Sequence, residues 1–159
     1  MLYIGKVVNT HGIKGEIRII SDFKYKDEVF KIKNNIYIDN IKYEIMSYRI
    51  HKNYDMLVLK DVNNINDAEK LKGLDVYIKR EEYTFSGILD EDIIGLDVYD
   101  NDEYKGKVVE ILKSKKYDLL VIDGIKRHMV PNIPEFIKNI DLDKKIINIE
   151  YIRGLDNED

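Results

Sequence analysis

Apolar and polar residues alternate with a period of two through most of this chain, in short runs broken by turn-forming residues. That period belongs to half-buried strands, because an amphipathic helix repeats its apolar positions every three to four residues. The first run, 2–9, leads through His11-Gly12-Ile13-Lys14-Gly15-Glu16 into a second, 15–20, which closes on Ile17-Arg18-Ile19-Ile20. Glycine reaches positive φ without steric cost, so two glycines three residues apart suit a compact strand-to-strand turn. A phosphate-gripping loop is the weaker reading, since neither a GK[ST] ending nor a helical pattern follows Gly15. Residues 21–34 are charged and mixed, which predicts a long loop or one helical turn. Strands are expected at 36–38, 41–50 and 56–59, with tight turns at Asp39-Asn40 and Asn53-Tyr54-Asp55. The clearest helix spans 66–73, with Asn66 as its cap, Glu69 three residues on, and Gly73 as its stop. A strand at 74–78 follows.

Residues 80–92 interrupt the rhythm with Glu81-Glu82, Ser86-Gly87 and Asp90-Glu91-Asp92, and they make the best linker. Strands then resume at 93–99, 104–112, 117–122, 127–131 and 146–151. Turns are expected at Asp100-Asn101-Asp102-Glu103, Asp123-Gly124 and 141–145, a basic loop at 113–116, and a helical turn at 132–138. Short strands at short spacing, twice over, predict a mainly β protein of two small β-barrels. Closure hides the edges that so many apolar strands would expose. The expected division is a first barrel at 1–80, a linker at 81–91 and a second barrel at 92–159.

Composition supports a packed core: apolar residues are 44% of 159, and the chain has no cysteine, which excludes disulfides and thiolate metal sites. A reducing compartment fits. The N-terminus lacks a basic segment followed by an apolar one, and no apolar run reaches the ~18–20 residues of a membrane span. These features predict a soluble, cytoplasmic protein with no membrane partner. Charge is uneven: residues 1–82 carry 15 basic against 13 acidic side chains, net +2, and residues 83–159 carry 11 against 17, net −6. An acidic second half suits a basic protein partner better than a phosphate backbone.

Candidate chemistry is sparse. His11, His51 and His128 form no HExxH or HxH pattern, and the serines sit in no nucleophile elbow. The acidic clusters at 90–92 and 100–103 lack calcium-loop spacing, and such runs are usually solvated loops. His11 reads as a turn-packing residue, because a general base needs a partner that the sequence does not identify. Lys14, Arg18, Lys24, Lys26, Lys31 and Lys33 interleave with Phe23, Tyr25 and Phe30, the mixture that RNA contacts use. The bland alternative is solvated lysines beside core aromatics. No active site or cofactor site emerges, which favours binding or assembly over catalysis. Two alternatives stay open: a small barrel enzyme holding flavin or a similar cofactor, and a protein-interaction module.

Five motifs in series carry a resemblance. They are Gly5-Lys6-Val7 with His11-Gly12-Ile13-Lys14-Gly15-Glu16; Ala68-Glu69-Lys70-Leu71-Lys72-Gly73; Asp92-Ile93-Ile94-Gly95-Leu96-Asp97-Val98; Gly106-Lys107-Val108; and 130–141, beginning Val130-Pro131-Asn132. In this order and spacing the chain resembles the RimM family of ribosome maturation factors over essentially its whole length. The resemblance implies an N-terminal barrel similar to those of translation factors and reductases, then a PRC-barrel from near Asp92. It implies a monomeric, non-catalytic factor without cofactor. Such a factor assists late assembly of the small-subunit head and its rRNA, and binds free small subunits and ribosomal protein nineteen. His11, Lys14, Arg18, Lys24 and Lys26 are then the residues expected to face the ribosome or rRNA. Tyr83, Phe85, Asp92, Tyr99, Tyr104, Arg127 and His128 are those expected to meet the partner protein. An aromatic pair common in the family, just before the Asp-Leu-Ile-Gly-like element, is replaced here by Ile88 and Leu89, with Tyr83 or Phe85 as possible substitutes. The arginine that often precedes the Ala-Glu pair is also missing from Asn64-Ile65-Asn66-Asp67.

Overall fold

The structure is a computed structural model that describes residues 1–150, and the chain divides into two compact units between Ser86 and Gly87. The first unit contains β1 (Leu2–His11), β2 (Glu16–Ile20), α1 (Lys26–Val29), β3 (Asn35–Ile38), β4 (Ile41–His51), β5 (Tyr54–Leu59), α2 (Ile65–Glu69) and β6 (Asp75–Ile78). Its six strands form a closed barrel in the order β1-β2-β5-β4-β3-β6. Alternation along the strands fills it: Ile4, Val7, Ile17, Ile19, Ile36, Ile38, Ile45, Leu57, Leu59, Val76 and Ile78 are all buried in one cluster. Each such side chain is worth roughly 1.5–3 kcal/mol by removal from water. Register shifts at Tyr3/Gly5, Val7/Asn9 and Ile45/Ser47 mark bulges, which bend long strands enough for the sheet to close. The tight turn at Asp39-Asn40 holds both residues at positive φ, 53° and 62°. The next turn falls on Lys52 and Asn53, at 49° and 69°, so Tyr54 and Asp55, expected in that turn, belong to β5.

The cap of α2 lies two residues earlier than expected. Asn64, extended at φ −150°, accepts the Asp67 backbone N–H at 2.9 Å, while Asn66 lies inside the helix. The earlier start places Ala68 and Leu71 in the core. It also seats Asn64 against the opening turn. A Cβ on Gly15, at φ +84°, would lie 2.9 Å from the carbonyl oxygens of both Val62 and Asn64, whereas one on Gly12, at φ +75°, would meet nothing within 4 Å. Gly15 is thus required by conformation and by close packing, Gly12 by conformation alone.

Residues 81–86 of the expected linker belong to the first unit and 87–91 to the second. After a 3-10 turn at Arg80–Glu82, Tyr83 and Phe85 stack with centroids 5.5 Å apart, and Phe85 stacks on Tyr25 at 5.4 Å. The Tyr83 hydroxyl donates to the Asn35 carbonyl, and Glu28 accepts both the N–H and the hydroxyl of Ser86, at 2.9 and 2.6 Å.

The second unit contains α3 (Asp90–Ile93), β7 (Asp97–Asp100), β8 (Glu103–Leu112), β9 (Leu119–Asp123), β10 (Arg127–Pro131), β11 (Ile137–Asp141) and β12 (Ile146–Ile149). Its six-stranded sheet runs β10-β9-β8-β7-β12-β11. Val130 on one end strand and Ile137 and Ile140 on the other join the same core cluster as Val98, Val108, Leu120, Ile122 and Ile147, so the sheet wraps a single core. β7 and β12 pair in parallel, Asp97 with Ile146 through Asp100 with Ile149. Residues 93–96, expected as strand, instead end a helical turn; Ile93 and Leu96, three apart, are both buried by it. The expected helical turn is present as a single turn, with the Phe136 and Ile137 N–H groups both donating to the Ile133 carbonyl at 3.0 Å; it runs straight into β11, whose alternation is masked by a bulge between Ile137 and Asn139. The expected extension of the last strand to Tyr151 lies outside the described residues.

Candidate binding surfaces

Cross-strand register assembles a cationic cluster on the outside of the first barrel. Arg18 on β2 and Arg49 on β4 both pair with Met56 on β5, so all three share one face. His11 pairs with Glu16 and His51 with Tyr54, which extends that face toward the turns. Met56 is fully covered although its partners point outward. The Arg18 guanidinium lies 4.9 Å from the Tyr54 ring centroid, a cation–π distance, and the His11 and His51 rings are 5.8 Å apart. Arg49 grips Glu16 with two bonds, Nε to Oε2 at 2.9 Å and Nη2 to Oε1 at 2.8 Å. That hydrogen-bonded arginine holds the Glu16 carboxyl below its usual range. Burial, followed by the charges of Arg49, Lys52, His11 and Arg18, holds His51 below the ordinary imidazole range.

Of the residues expected to face RNA, only His11 and Arg18 belong to this cluster. Lys14 is exposed in the turn itself. Lys24 lies over the Tyr25 ring at 5.4 Å, beside the aromatic stack. Lys26 donates to the Ser21 carbonyl at 3.1 Å and to Asp55 at 3.0 Å; Asp55 is buried and also accepts the Tyr48 hydroxyl at 2.6 Å. Arg49 and Tyr54 were invisible as site residues in the sequence, and His51 stood out only as a histidine. Their signal is the β4–β5 hairpin: Lys52 and Asn53 at its tip fix the register that turns them toward Arg18.

The second unit offers two shallow depressions. One, of about 260 Å³, is lined by Glu103, Tyr104, Lys105, Ile125, Lys126 and His128. Ile125 at its rim is fully exposed, while His128 is buried. Tyr99 packs edge-on against Tyr104 at 5.4 Å, and Asp97 accepts bonds from Tyr104 at 3.1 Å and Lys107 at 2.8 Å. Lys107 above all lowers the Asp97 carboxyl, and burial followed by the Asp97 bond raises the Tyr104 phenol. Arg127 approaches Glu110 at 3.9 Å. The other depression, about 350 Å³, is lined by Glu91, Asp92, Ile94, Gly95, Leu96, Leu142 and Lys145. Tyr99, Tyr104 and His128 are thus gathered at one place and Asp92 at another. Tyr83 and Phe85 belong to the first unit. At the positions of the family's aromatic pair, Ile88 packs against the second core and Leu89 is buried. Among the described residues, no group of three or more His, Asp or Glu could hold a metal ion.

The domain matches fall on both units. Residues 2–83 match the RimM N-terminal domain and residues 90–155 the RimM PRC barrel domain. The chain belongs to the RimM family. The ribosome maturation factor RimM of Staphylococcus haemolyticus is 36% identical over 166 residues, covering 96% of both chains. RimM of Staphylococcus aureus strain N315 is likewise 36% identical over 166 residues, at 96% of each chain. A solved structure of a RimM protein from Pseudomonas aeruginosa covers 95% of this chain and 97% of its own, at 20% identity and a TM-score of 0.48. The N-terminal domain of Thermus thermophilus RimM covers 54% of this chain and 96% of its own, at 18% identity and a TM-score of 0.47. The two domain matches and the strands of both units bear out the mainly β RimM architecture expected from the motif series. No helix among the described residues is long and apolar enough to cross a membrane.

Proposed function

We propose that this chain is a ribosome maturation factor: a soluble, cytoplasmic, monomeric, non-catalytic chaperone for the head of the small ribosomal subunit. The observation that carries this reading is the pair of RimM domain matches in series, backed by relatives named as ribosome maturation factors over 96% of their length. Labour is divided by charge. The acidic second half holds the basic ribosomal protein nineteen, through the surface around Asp92 and the cleft of Tyr104 and His128. The first barrel, net positive, faces rRNA through its basic surface, Lys14 and Arg18 included. Binding energy realised only on a correctly folding head shifts its population toward the assembled form, and release follows when the joined ribosome binds the factor less well. Sedimentation with free small subunits, joined ribosomes and naked RNA at rising salt tests this. Preferential pelleting with free small subunits is expected, and equal binding to all three would sink the proposal.

A further inference from the structure

The cluster on the outside of the first barrel has features that a merely solvated face does not need. Arg18 is not held by an acid. It rests on the Tyr54 ring, and its Nε, shielded from solvent, has no hydrogen-bond partner. A shielded donor left without an acceptor is costly, and native proteins rarely carry one without a reason. The Glu16 carboxylate is already taken by both donor arms of Arg49. Arg18 and Lys52 therefore leave a positive surplus at the mouth of one hairpin, beside the two histidines. Burial first, and then Arg49, Lys52, His11 and Arg18, disfavours the charged form of His51.

The shape is that of an anion contact built on rigid elements. Arg18, Arg49 and Met56 form one cross-strand row, so the guanidinium groups are spaced by the sheet itself and not by loops. Tyr54 fixes Arg18 from one side, which lowers the rotamer entropy lost on binding. Arginines in this setting match phosphate oxygens by bidentate donation, and imidazolium adds a contact that depends on pH.

We infer that this outer face, Arg18 with His11, Arg49, His51 and Lys52, grips the phosphodiester backbone of RNA. The inference rests on the ribosomal reading above and narrows it: the phosphate contact lies on the β2–β5–β4 face and not along residues 21–33. Phosphate contact here is sequence-independent, so it positions the barrel on RNA and does not select bases. An incoming phosphate would draw a proton onto His51, so binding tightens as pH falls through the imidazole range. The groups around that imidazole are His11 from β1, Glu16 and Arg18 from β2, Arg49 from β4, Tyr54 from β5 and Lys52 from the turn.

The test uses the full chain and a fluorescein-labelled RNA hairpin, with anisotropy read from low to moderate salt at pH 6 and pH 8. Arg18→Gln should weaken binding and lower the slope of log affinity against log salt by about 0.9, the value of one duplex phosphate contact. Arg18→Lys, which keeps the charge over Met56, should retain the slope and thereby separates lost contact from lost fold. His51→Gln should weaken binding at pH 6 and remove most of its pH dependence. Unchanged affinity and slope in Arg18→Gln would overturn the inference, as would equal displacement of the hairpin by polyglutamate. Small-subunit sedimentation of the same variants separates the two readings. If the parent pellets with small subunits while Arg18→Gln binds RNA unchanged, only the inferred site is lost. If the parent fails to pellet, the ribosomal reading itself is lost.

Discussion

The two glycines of the first turn offer a controlled comparison. Both lie at positive φ, 75° for Gly12 and 84° for Gly15, so alanine at either must adopt a left-handed backbone. That costs about 1–2 kcal/mol, less about 0.4–1 kcal/mol because alanine also restricts the unfolded chain. Gly12→Ala should therefore cost about 1 kcal/mol. Gly15→Ala carries the same term and a second one. Its Cβ would stand 2.9 Å from the Val62 and Asn64 carbonyl oxygens and 3.0 Å from the Asn64 nitrogen, all backbone atoms that cannot rotate aside. Relief requires moving 62–64, which bears the cap of α2. Overpacking of this kind adds about 1–3 kcal/mol, for a total near 2–4 kcal/mol. Amide hydrogen exchange at Ile17 and Ile19, buried strand positions of the same unit, reads the opening free energy of the barrel alone. Costs for the two variants within about 0.5 kcal/mol of each other would refute the claim that the turn is seated on the α2 cap.

Asp55→Ala should destabilise the first unit by about 1–3 kcal/mol, because the Tyr48 hydroxyl loses its acceptor while the half-exposed Lys26 regains water; a sub-additive double variant with Tyr48→Phe in urea unfolding would verify the coupling. At alkaline pH the first unit should weaken steeply. The hydrogen bond to Glu82 above all, then burial, pushes the Tyr37 phenol up to about 12, and burial followed by the Glu82 charge pushes Tyr83 up to about 12. Both phenols stay protonated in the folded chain after the unfolded chain ionises near ~10, so the stability they supply is intact below that pH and is lost as pH rises through about 12. Circular dichroism from pH 9 to 12.5 should show a shallower loss in Tyr37→Phe. In acid, the Ser86 clasp should open: Ser86 first of all holds the Glu28 carboxyl below its usual range, so both bonds persist above the ordinary glutamate pKa and vanish as pH falls through the lowered one. Faster exchange of the Ser86 amide in Glu28→Gln, already at neutral pH, checks this.

The barrel strands were legible because alternation and core burial coincide there: Ile17 and Ile19, two apart across Arg18, are both buried, and so are Leu57 and Leu59 across Val58. Elements failed where a local signal had two readings. Asn64 and Asn66 are both competent caps, and only the packing of Ala68 and Leu71 decides between them. Ile93-Ile94-Gly95-Leu96 reads as strand until Ile93 and Leu96 are seen three apart on one core-facing turn. The bulge in β11 hid a strand by shifting its period. For the binding surface, Arg18 and His11 were legible as basic and turn residues beside a paired-glycine motif. Arg49 and Tyr54 were not, because their neighbours on the outer face come from hairpin register, which runs across strands and not along them. The basic residues of 21–33 have intramolecular neighbours that composition does not reveal: Lys26 belongs to the buried Asp55 and Lys24 to an aromatic face.

The parallel pairing of β7 with β12 has a consequence for how the protein is made. The first barrel is closed by β6 and has all of its strands once Ile78 has been synthesised. The second sheet has a gap beside β7 until Ile146–Ile149 emerge, because β12 is an inner strand there and no earlier segment occupies its place. During translation the nascent chain therefore holds a finished first barrel while β7 waits with one ladder of hydrogen bonds unmade. A chain stalled before residue 146 would carry that open edge, the feature most prone to wrong pairing. The fold of the second unit is thus completed last, and only on molecules read through to β12.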